Sequence, residues 1–189
     1  MNQHSAWALM TLLIAALLPV ASADEIMANP GEAPSFVNQA TIAAPMAAVW
    51  SVWTTGEGYK ALGVAQADID LRIGGLIRSH YNAAGVLGDA ETIQNRILAY
   101  EPQRMIAICI DRTPEDFPFK NAWKHTWTVI TLAAKGANLT HVRIASMGFG
   151  TDSESVAMRK FFEVGNAETL DTLKAYFKSA APGGRRNKP

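Results

Sequence analysis

Cysteine is nearly absent from this sequence. Cys109 is the single one among 189 residues, so the chain cannot form an internal disulfide. It lies in the unbroken apolar run 105–110, which predicts a buried and unreactive thiol, because a reactive thiolate needs an electropositive and accessible setting. His80, His125 and His141 stand apart in the sequence, and no His/Cys cluster has the spacing of a zinc site. We therefore expect neither a metal nor a cofactor.

An excess of charge of either sign is also missing. The 17 basic residues balance the 17 acidic ones, which gives a formal net charge of +0. Nucleic-acid binding normally needs a basic patch or stripe. The basic run here is Arg185, Arg186 and Lys188, which follows the Pro-Gly-Gly segment 182–184 and predicts a disordered tail over 180–189. We therefore expect no nucleic-acid partner.

The long apolar stretch of the chain stands at its start. Residues 6–20 have the length of a signal-peptide h-region, and Ala-Ser-Ala at 21–23 is a small-residue cleavage signal, although residues 1–5 contain no Lys or Arg. An uncleaved anchor is the alternative, but the run is shorter than the ~20 residues of a spanning helix. We expect cleavage after Ala23 and export to a bacterial periplasm or secretion, with no membrane attachment afterwards. Residues 24–35 then form a flexible lead-in.

The longest predicted element is a helix over residues 151–179. Thr151 and Glu154 have the spacing of a capping box, and no proline interrupts the segment. Apolar side chains recur at helical spacing along one side, and charged side chains occupy the other. Gly165 and Thr169 thin the apolar side in its middle, which either allows close packing against a strand or leaves room for a ligand.

Alternating apolar and polar residues predict strands through most of the chain before this helix. The predicted strands cover 36–42, 63–71, 76–82, 91–100, 104–111, 123–133 and 139–147, and two short helices cover 45–53 and 57–62. This order predicts an α+β fold in which a curved antiparallel sheet of about six or seven strands wraps around the long helix. The two short helices come directly after the first strand.

Four short motifs resemble those of a known family. They are APMAAVWSVWTT at 44–55, DLRIGG at 70–75, EPQRM at 101–105 and LTHVRIASMGF at 139–149. Their order and spacing resemble the START-like, Bet v 1-like helix-grip superfamily, also called SRPBCC. Within it, the chain is most similar to the branch named after the activator of Hsp90 ATPase homologue C-terminal domain. The resemblance implies one START-like domain over 36–179, with a cavity between its sheet and its long helix.

Two features depart from the family pattern. The long helix of the family often carries Gly-Trp, whereas this chain has Gly165 followed by Asn166. That change places a polar amide near the buried side of the helix. The branch is mostly cytosolic, whereas this chain carries an export signal, and a shared fold does not carry a shared function.

Strand alternation matched to the family pattern indicates which side chains line the implied cavity. The predicted ligand-binding residues are Trp53, Ile77, Tyr81, Glu91, Ile93, Asn95, Thr128, Ile130, Ile144, Phe162, Gly165, Asn166, Thr169 and Leu173. Alternation also turns Ser79, Ile97, Thr126, Leu132, Val142 and Ser146 inward. Both faces of 104–111 are apolar, and we choose Met105, Ala107 and Cys109 as the inward set. This mostly apolar lining with few polar groups is typical of a small-molecule pocket, and a filled core is the alternative.

No residues resemble a nucleophile with its base, because the chain has neither a serine elbow nor a paired Cys and His. Glu91 is the one carboxylate that we place inward, so it is the candidate general acid or base. A hydrogen bond to Tyr81 or Asn95, or a place at the wet end of its strand, is the alternative. The lining favours binding of an apolar or aromatic small molecule by a monomer or weak dimer. A cyclase- or hydrolase-type enzyme using the same cavity and a chaperone-interaction module are the two alternative functions.

Overall fold

A curved antiparallel sheet carries the fold in the computed structural model, which describes residues 35–180. The predicted signal peptide (1–23), the lead-in up to residue 34 and the tail from residue 181 lie outside the described residues. The strands are β1 (Phe36–Ile42), β2 (Gln66–Ile69), β3 (Leu76–His80), β4 (Ile93–Glu101), β5 (Met105–Arg112), β6 (Trp127–Gly136) and β7 (Leu139–Met147). The helices are α1 (Met46–Thr54), α2 (Gly56–Lys60) and α3 (Ser153–Ala180), with a short 3₁₀ helix at Ala122–His125. None of the helices within 35–180 combines the length and apolarity that a membrane crossing needs.

The sheet has 7 strands in the order β1-β7-β6-β5-β4-β3-β2, and every neighbouring pair is antiparallel. Strands β1 and β2 form the two edges, so helices α1 and α2 carry the chain from one edge to the other. Helix α3 follows β7 and contacts β1 and the 3₁₀ helix. This is the α+β helix-grip architecture, and the predicted fold class is confirmed.

The motif at 44–55 builds the turn between the two short helices. Pro45 caps the start of α1 in an extended conformation, where its missing N–H costs nothing. Thr55 follows the end of α1 and opens α2, because its hydroxyl accepts a hydrogen bond from the backbone N–H of Gly58 at 3.0 Å. A side chain at position 58 would collide with the carbonyl of Ser51, so the tight packing of α2 on α1 needs glycine there.

The motif at 70–75 forms a turn that pairs with β4. Gly74 donates to the carbonyl of Ile97 at 2.8 Å, and the N–H of Ile97 donates to the carbonyl of Gly75 at 2.9 Å. Arg72 Nε donates to Asp70 Oδ2 at 2.7 Å across the turn. Gly74 has φ +79°, a left-handed conformation that favours glycine. The backbone conformation of the turn therefore explains the glycine at position 74.

The N-terminus of α3 is capped by Asp152 and not by the predicted pair Thr151 and Glu154. Asp152 Oδ1 accepts from the backbone N–H of Ser155 at 3.0 Å, and Ser155 Oγ donates to Asp152 Oδ2 at 2.6 Å. These hydrogen bonds hold the pKa of Asp152 below its usual range. Glu154 instead accepts from the backbone N–H of Asn121 at 2.9 Å, so it ties the start of α3 to the segment before the 3₁₀ helix.

The main core lies between the concave face of the sheet, α1 and the C-terminal half of α3. Its fully buried side chains include Ile42 of β1, Val49 of α1, Ile97 of β4 and Leu173 of α3, each 0% exposed. A second cluster joins Phe36, Phe149 and Met158 with phenylalanines of the segment between β5 and the 3₁₀ helix. The predicted apolar side of α3 is thus divided between two clusters.

The inward face of β5 is the opposite of the predicted one. Ile106 pairs with Ile130, and Ile108 pairs with Thr128. Residues directly opposite each other in an antiparallel ladder point to the same face, so Ile106 and Ile108 face inward. The choice of Met105, Ala107 and Cys109 was wrong, because alternation cannot select a face when both faces are apolar.

Candidate functional site

A cavity of about 420 Å³ lies between the concave face of the sheet and α3. Its volume is within the ~300–1,000 Å³ range of small-molecule sites. The predicted site residues that line it are Trp53, Tyr81, Ile93, Asn95, Thr128, Ile130, Ile144, Phe162, Asn166 and Thr169. Because they come from α1, the residue after β3, β4, β6, β7 and α3, the fold brings most of the predicted site together. An open cavity replaces the filled core that was the alternative.

Further lining residues are Tyr59, Leu62, Val64, Ser79, Ile108, Cys109, Ile110, Thr113, Pro114, Phe117, Thr126, Trp127, Ser146, Phe149 and Phe161. Strand alternation had already turned Ser79, Thr126 and Ser146 inward. Two segments were not expected at the site: the α2 region from Tyr59 to Val64, and the loop that follows β5. No local pattern could have found these segments, because their side chains reach the cavity through tertiary packing alone.

Two predicted site residues belong to the core and not to the cavity wall. Ile77 is 2% exposed and Leu173 is 0% exposed, and both pack in the main core cluster. Gly165 is half-buried on α3, and a methyl group placed on it would meet nothing within 4 Å. The thin middle of the helix therefore does leave space beside it, although Gly165 does not itself line the cavity.

Glu91 lies outside the cavity, so its predicted inward position was wrong. Strand β4 begins at Ile93, two residues later than predicted, and the Glu91 side chain is 71% exposed. The preceding turn is held by Asp89, whose carboxylate accepts backbone N–H groups from Val86 and Glu91, each at 3.0 Å. This turn keeps Glu91 out of the β4 ladder and away from the wall of the site.

His80 is buried beneath the same turn. Its Nδ1 accepts a hydrogen bond from the backbone N–H of Asn82 at 2.9 Å, which leaves Nε2 as the ring nitrogen that can donate. Nε2 lies 3.3 Å from Asp89 Oδ2 and 3.9 Å from Glu91 Oε2. His80 is 2% exposed and lies outside the cavity wall, so it is a structural histidine that organises the loop between β3 and β4.

A chain of polar side chains crosses the cavity wall from α3 to the sheet. Asn166 Nδ2 donates to Ser146 Oγ at 3.2 Å, and Ser146 Oγ lies 3.0 Å from Thr128 Oγ1. Thr169 Oγ1 donates a hydrogen bond to the carbonyl of Gly165 at 2.8 Å. The amide that departs from the family pattern at position 166 therefore supplies a polar group in an otherwise apolar wall.

Two tyrosines mark the side of the cavity near α2. Tyr81 is 69% exposed, so it stands at the mouth, whereas Tyr59 is half-buried. Removal from solvent, with a smaller contribution from Tyr81, raises the pKa of Tyr59 to about 12. The Tyr59 phenol is therefore neutral at physiological pH and is available as a hydrogen-bonding group.

Phenylalanines of α3 and of the loop after β5 form another part of the cavity wall. The ring centroid of Phe117, in the loop after β5, lies 6.1 Å from that of Phe161 and 6.3 Å from that of Phe162. Phe119 lies 5.4 Å from Phe117 in an edge-on arrangement. Aromatic pairs at such distances add stability beyond the area that they bury, so the loop is held against α3.

The side chains of the cavity wall favour binding of an uncharged molecule. The side chains that line the cavity within residues 35–180 are all uncharged, and most are apolar. The same residues contain no cluster of three metal-ligating side chains. Cys109 also borders the cavity, although strand alternation places it on the opposite face of β5 from Ile108. Burial, with a contribution from Asp111, raises the pKa of its thiol, so the thiol stays protonated. The arrangement suits non-covalent binding of a neutral molecule.

The fold and the cavity together define a START-like helix-grip domain. A match to the family described as "Activator of Hsp90 ATPase homolog 1-like protein" covers residues 43–178. The chain belongs to this family, and the resemblance drawn from the sequence motifs is confirmed. A comparison with curated proteins gives no match.

Solved structures share the fold at low sequence identity. Protein MLL2253 from Mesorhizobium loti superimposes with a TM-score of 0.62 at 15% identity, covering 79% of this chain and 100% of its own. The Aha1 dimer from Colwellia psychrerythraea gives 0.57 at 17% identity, covering 81% and 99%. CalU16 from Micromonospora echinospora gives 0.56 at 24% identity, covering 82% and 71%. At these identities the similarity extends to the fold alone.

Proposed function

We propose that this domain binds an apolar or aromatic small molecule in the cavity between the sheet and α3. The observation that carries the proposal is the cavity itself, with its volume of about 420 Å³ and its uncharged wall. A packed core normally leaves few voids larger than a water molecule. An apolar space of this size is therefore a feature that a ligand would fill.

The lining supports binding by shape and apolar contact. Ile93, Ile130 and Ile144 offer aliphatic surface from three strands, and Phe162 offers an aromatic ring from α3. Burial of apolar ligand surface contributes roughly 25 cal/mol per Å². The polar chain that starts at Asn166 then gives orientation, as a few fixed polar groups do in most ligand pockets.

The enzyme alternative depended on an acid–base residue inside the cavity. Glu91 was that candidate, and its side chain is turned to solvent beside Asp89. The polar groups left in the wall are amides, hydroxyls, phenols, indoles and the Cys109 thiol, and no carboxylate or imidazole is among the side chains of residues 35–180 that line it. These groups suit recognition better than proton transfer, and this supports the binding proposal.

A cavity-filling substitution tests the proposal. Thr169 borders the cavity from α3, so Thr169→Phe places a ring inside it, whereas Ala167→Phe adds the same ring at an exposed position of the same helix. Titration with an apolar fluorescent probe should show binding by the wild type and by Ala167→Phe. Binding should be weakened at least about tenfold in Thr169→Phe, because the ring and the probe compete for one volume. Probe binding that is equal in all three proteins would contradict the proposal.

A further inference from the structure

Asn166 presents a polar group of α3 to the cavity. It stands four residues after Phe162 and three residues before Thr169, and side chains at these spacings share one face of a helix. All three residues line the cavity, with Asn166 between the other two. The Asn166 side chain therefore belongs to the stripe of α3 that faces the cavity.

The carboxamide of Asn166 has one polar atom that the described protein leaves unused. Its Nδ2 donates to Ser146 Oγ at 3.2 Å, and Ser146 is also a cavity-lining residue. Its Oδ1 accepts no hydrogen bond from residues 35–180, and this oxygen keeps access to solvent. An amide oxygen can accept two hydrogen bonds. Oδ1 is therefore an open acceptor in the cavity wall, and a ligand donor can reach it.

The same network contains one hydroxyl proton more than it uses. Ser146 Oγ and Thr128 Oγ1 lie 3.0 Å apart, so one of these hydroxyls donates to the other. Because Ser146 Oγ also accepts from Asn166, the proton of the second hydroxyl has no acceptor within residues 35–180. Both hydroxyls belong to side chains that line the cavity. Native structures leave few buried donors unpaired, so this proton indicates an acceptor that a ligand brings.

A ligand group that matches this network must donate to Asn166 Oδ1 and accept the spare hydroxyl proton. A hydroxyl does both with a single oxygen, whereas a ketone or ether oxygen only accepts. A carboxylate would lose its hydration among uncharged side chains without gaining an ion-pair partner, which is strongly unfavourable. The network therefore distinguishes a neutral hydroxyl from the other common oxygen groups.

We propose that the cavity takes a neutral aromatic or apolar molecule that carries a hydroxyl group, and that Asn166, Ser146 and Thr128 bind this hydroxyl. The inference rests on the proposed function, because it names the ligand class of the same cavity. Asn166 makes and breaks no covalent bond in this role, and it serves to select and orient the ligand.

The test compares 2-naphthol with 2-methylnaphthalene, two aromatic molecules of similar shape in which a hydroxyl replaces a methyl group. Phenols titrate near pH 10, so 2-naphthol is neutral at pH 7. Isothermal titration calorimetry gives the Kd of each compound. One hydrogen bond of ordinary net strength corresponds to about a two- to tenfold change in affinity. With two such bonds, the wild type should bind 2-naphthol about four- to a hundredfold more tightly than 2-methylnaphthalene.

Asn166→Leu removes the acceptor and keeps a side chain of similar size. The preference for 2-naphthol should fall about two- to tenfold in this variant, because one of the two hydrogen bonds is lost. Ala167→Leu is the matched control, since it adds the same side chain at the next position, which is exposed. This control should keep the preference of the wild type.

An NMR titration of the wild type provides a measurement that does not depend on the stability of any variant. The side-chain NH₂ resonances of Asn166 are identified by their absence from the spectrum of Asn166→Leu. A hydrogen bond to Oδ1 polarises the whole carboxamide, so these resonances should move with 2-naphthol and much less with 2-methylnaphthalene.

The possible results separate the two proposals. Equal affinity of the wild type for the two compounds, or unmoved Asn166 side-chain resonances, would overturn the inference and leave the proposed function standing. A preference that is unchanged in Asn166→Leu would assign the hydroxyl to another part of the wall and overturn the inference equally. Failure of both compounds to bind would count against the proposed function, and the inference would fall with it.

Discussion

Leu173 and Thr169 lie one turn apart on α3 and mark the boundary between core and cavity. Leu173 is 0% exposed within the main core, whereas Thr169 borders the cavity. Leu173→Ala should cost about 2–5 kcal/mol of unfolding free energy, because it leaves a void among close-packed side chains. Thr169→Ala removes atoms that already face empty space, and alanine has the better helix propensity. Its cost should therefore stay within about 1 kcal/mol.

Urea denaturation followed by circular dichroism measures both changes. With a slope of about 2 kcal/mol/M, Leu173→Ala should lower the transition midpoint by roughly 1–2.5 M. Lys174→Ala is the surface control: its partly exposed amine pairs with Asp171 at 2.9 Å, and the loss should stay within about 0.5 kcal/mol. Similar midpoints for the Leu173 and Thr169 variants would refute the placement of the core boundary between these two residues.

Three further predictions concern other parts of the chain. Gly165→Ala should raise the unfolding free energy by up to about 1 kcal/mol in the same melts, because the added methyl meets nothing within 4 Å and alanine favours the helix; a loss of stability would contradict this. Hydrogen bonds from Ser155 hold the pKa of Asp152 below its usual range. The cap therefore contributes its full stabilisation of the fold above that range, and this stabilisation is lost as the pH falls through the pKa of Asp152 in the folded state. Melting temperatures of Asp152→Ala and the wild type should therefore differ most near neutral pH and converge towards about pH 2, and a constant gap would contradict the assignment. We also propose that the protein is exported and cleaved after Ala23. The N-terminal sequence of protein from a periplasmic fraction should therefore begin at Asp24. An intact Met1 on cytosolic protein would overturn this proposal.

Much of the fold was predictable because it rests on local patterns. Alternation defines a strand wherever one face is buried and the other is wet, as in β7, where Val142 and Ile144 alternate with His141 and Arg143. The prediction was least accurate where a turn or short helix interrupts the alternation. Residues 122–125 form a 3₁₀ helix before β6, and the turn held by Asp89 delays the start of β4. Their side-chain-to-backbone bonds carry no periodic signal.

The site was predictable to the extent that it is built from regular elements. Asn95, Thr128 and Asn166 lie at the cavity because strand and helix periodicity fixes their faces. Phe117 and Tyr59 could not be placed, because the packing of a loop and of the short helix α2 brings them to the cavity. The depth of each residue also escaped prediction: Leu173 and Thr169 share a helix face, yet Leu173 packs in the core and Thr169 borders the cavity.

The central claim is that a ligand binds in the cavity between the sheet and α3. NMR of the isoleucine methyl groups tests this location directly. Ile93, Ile130 and Ile144 line the cavity, Ile42 lies in the core, and Ile73 is 69% exposed. Titration of protein labelled at isoleucine δ1 methyl groups with an apolar aromatic probe should shift the three cavity resonances and leave those of Ile42 and Ile73 in place. Shifts centred on Ile73, or no shift at saturating probe, would contradict a ligand-binding cavity between the sheet and α3.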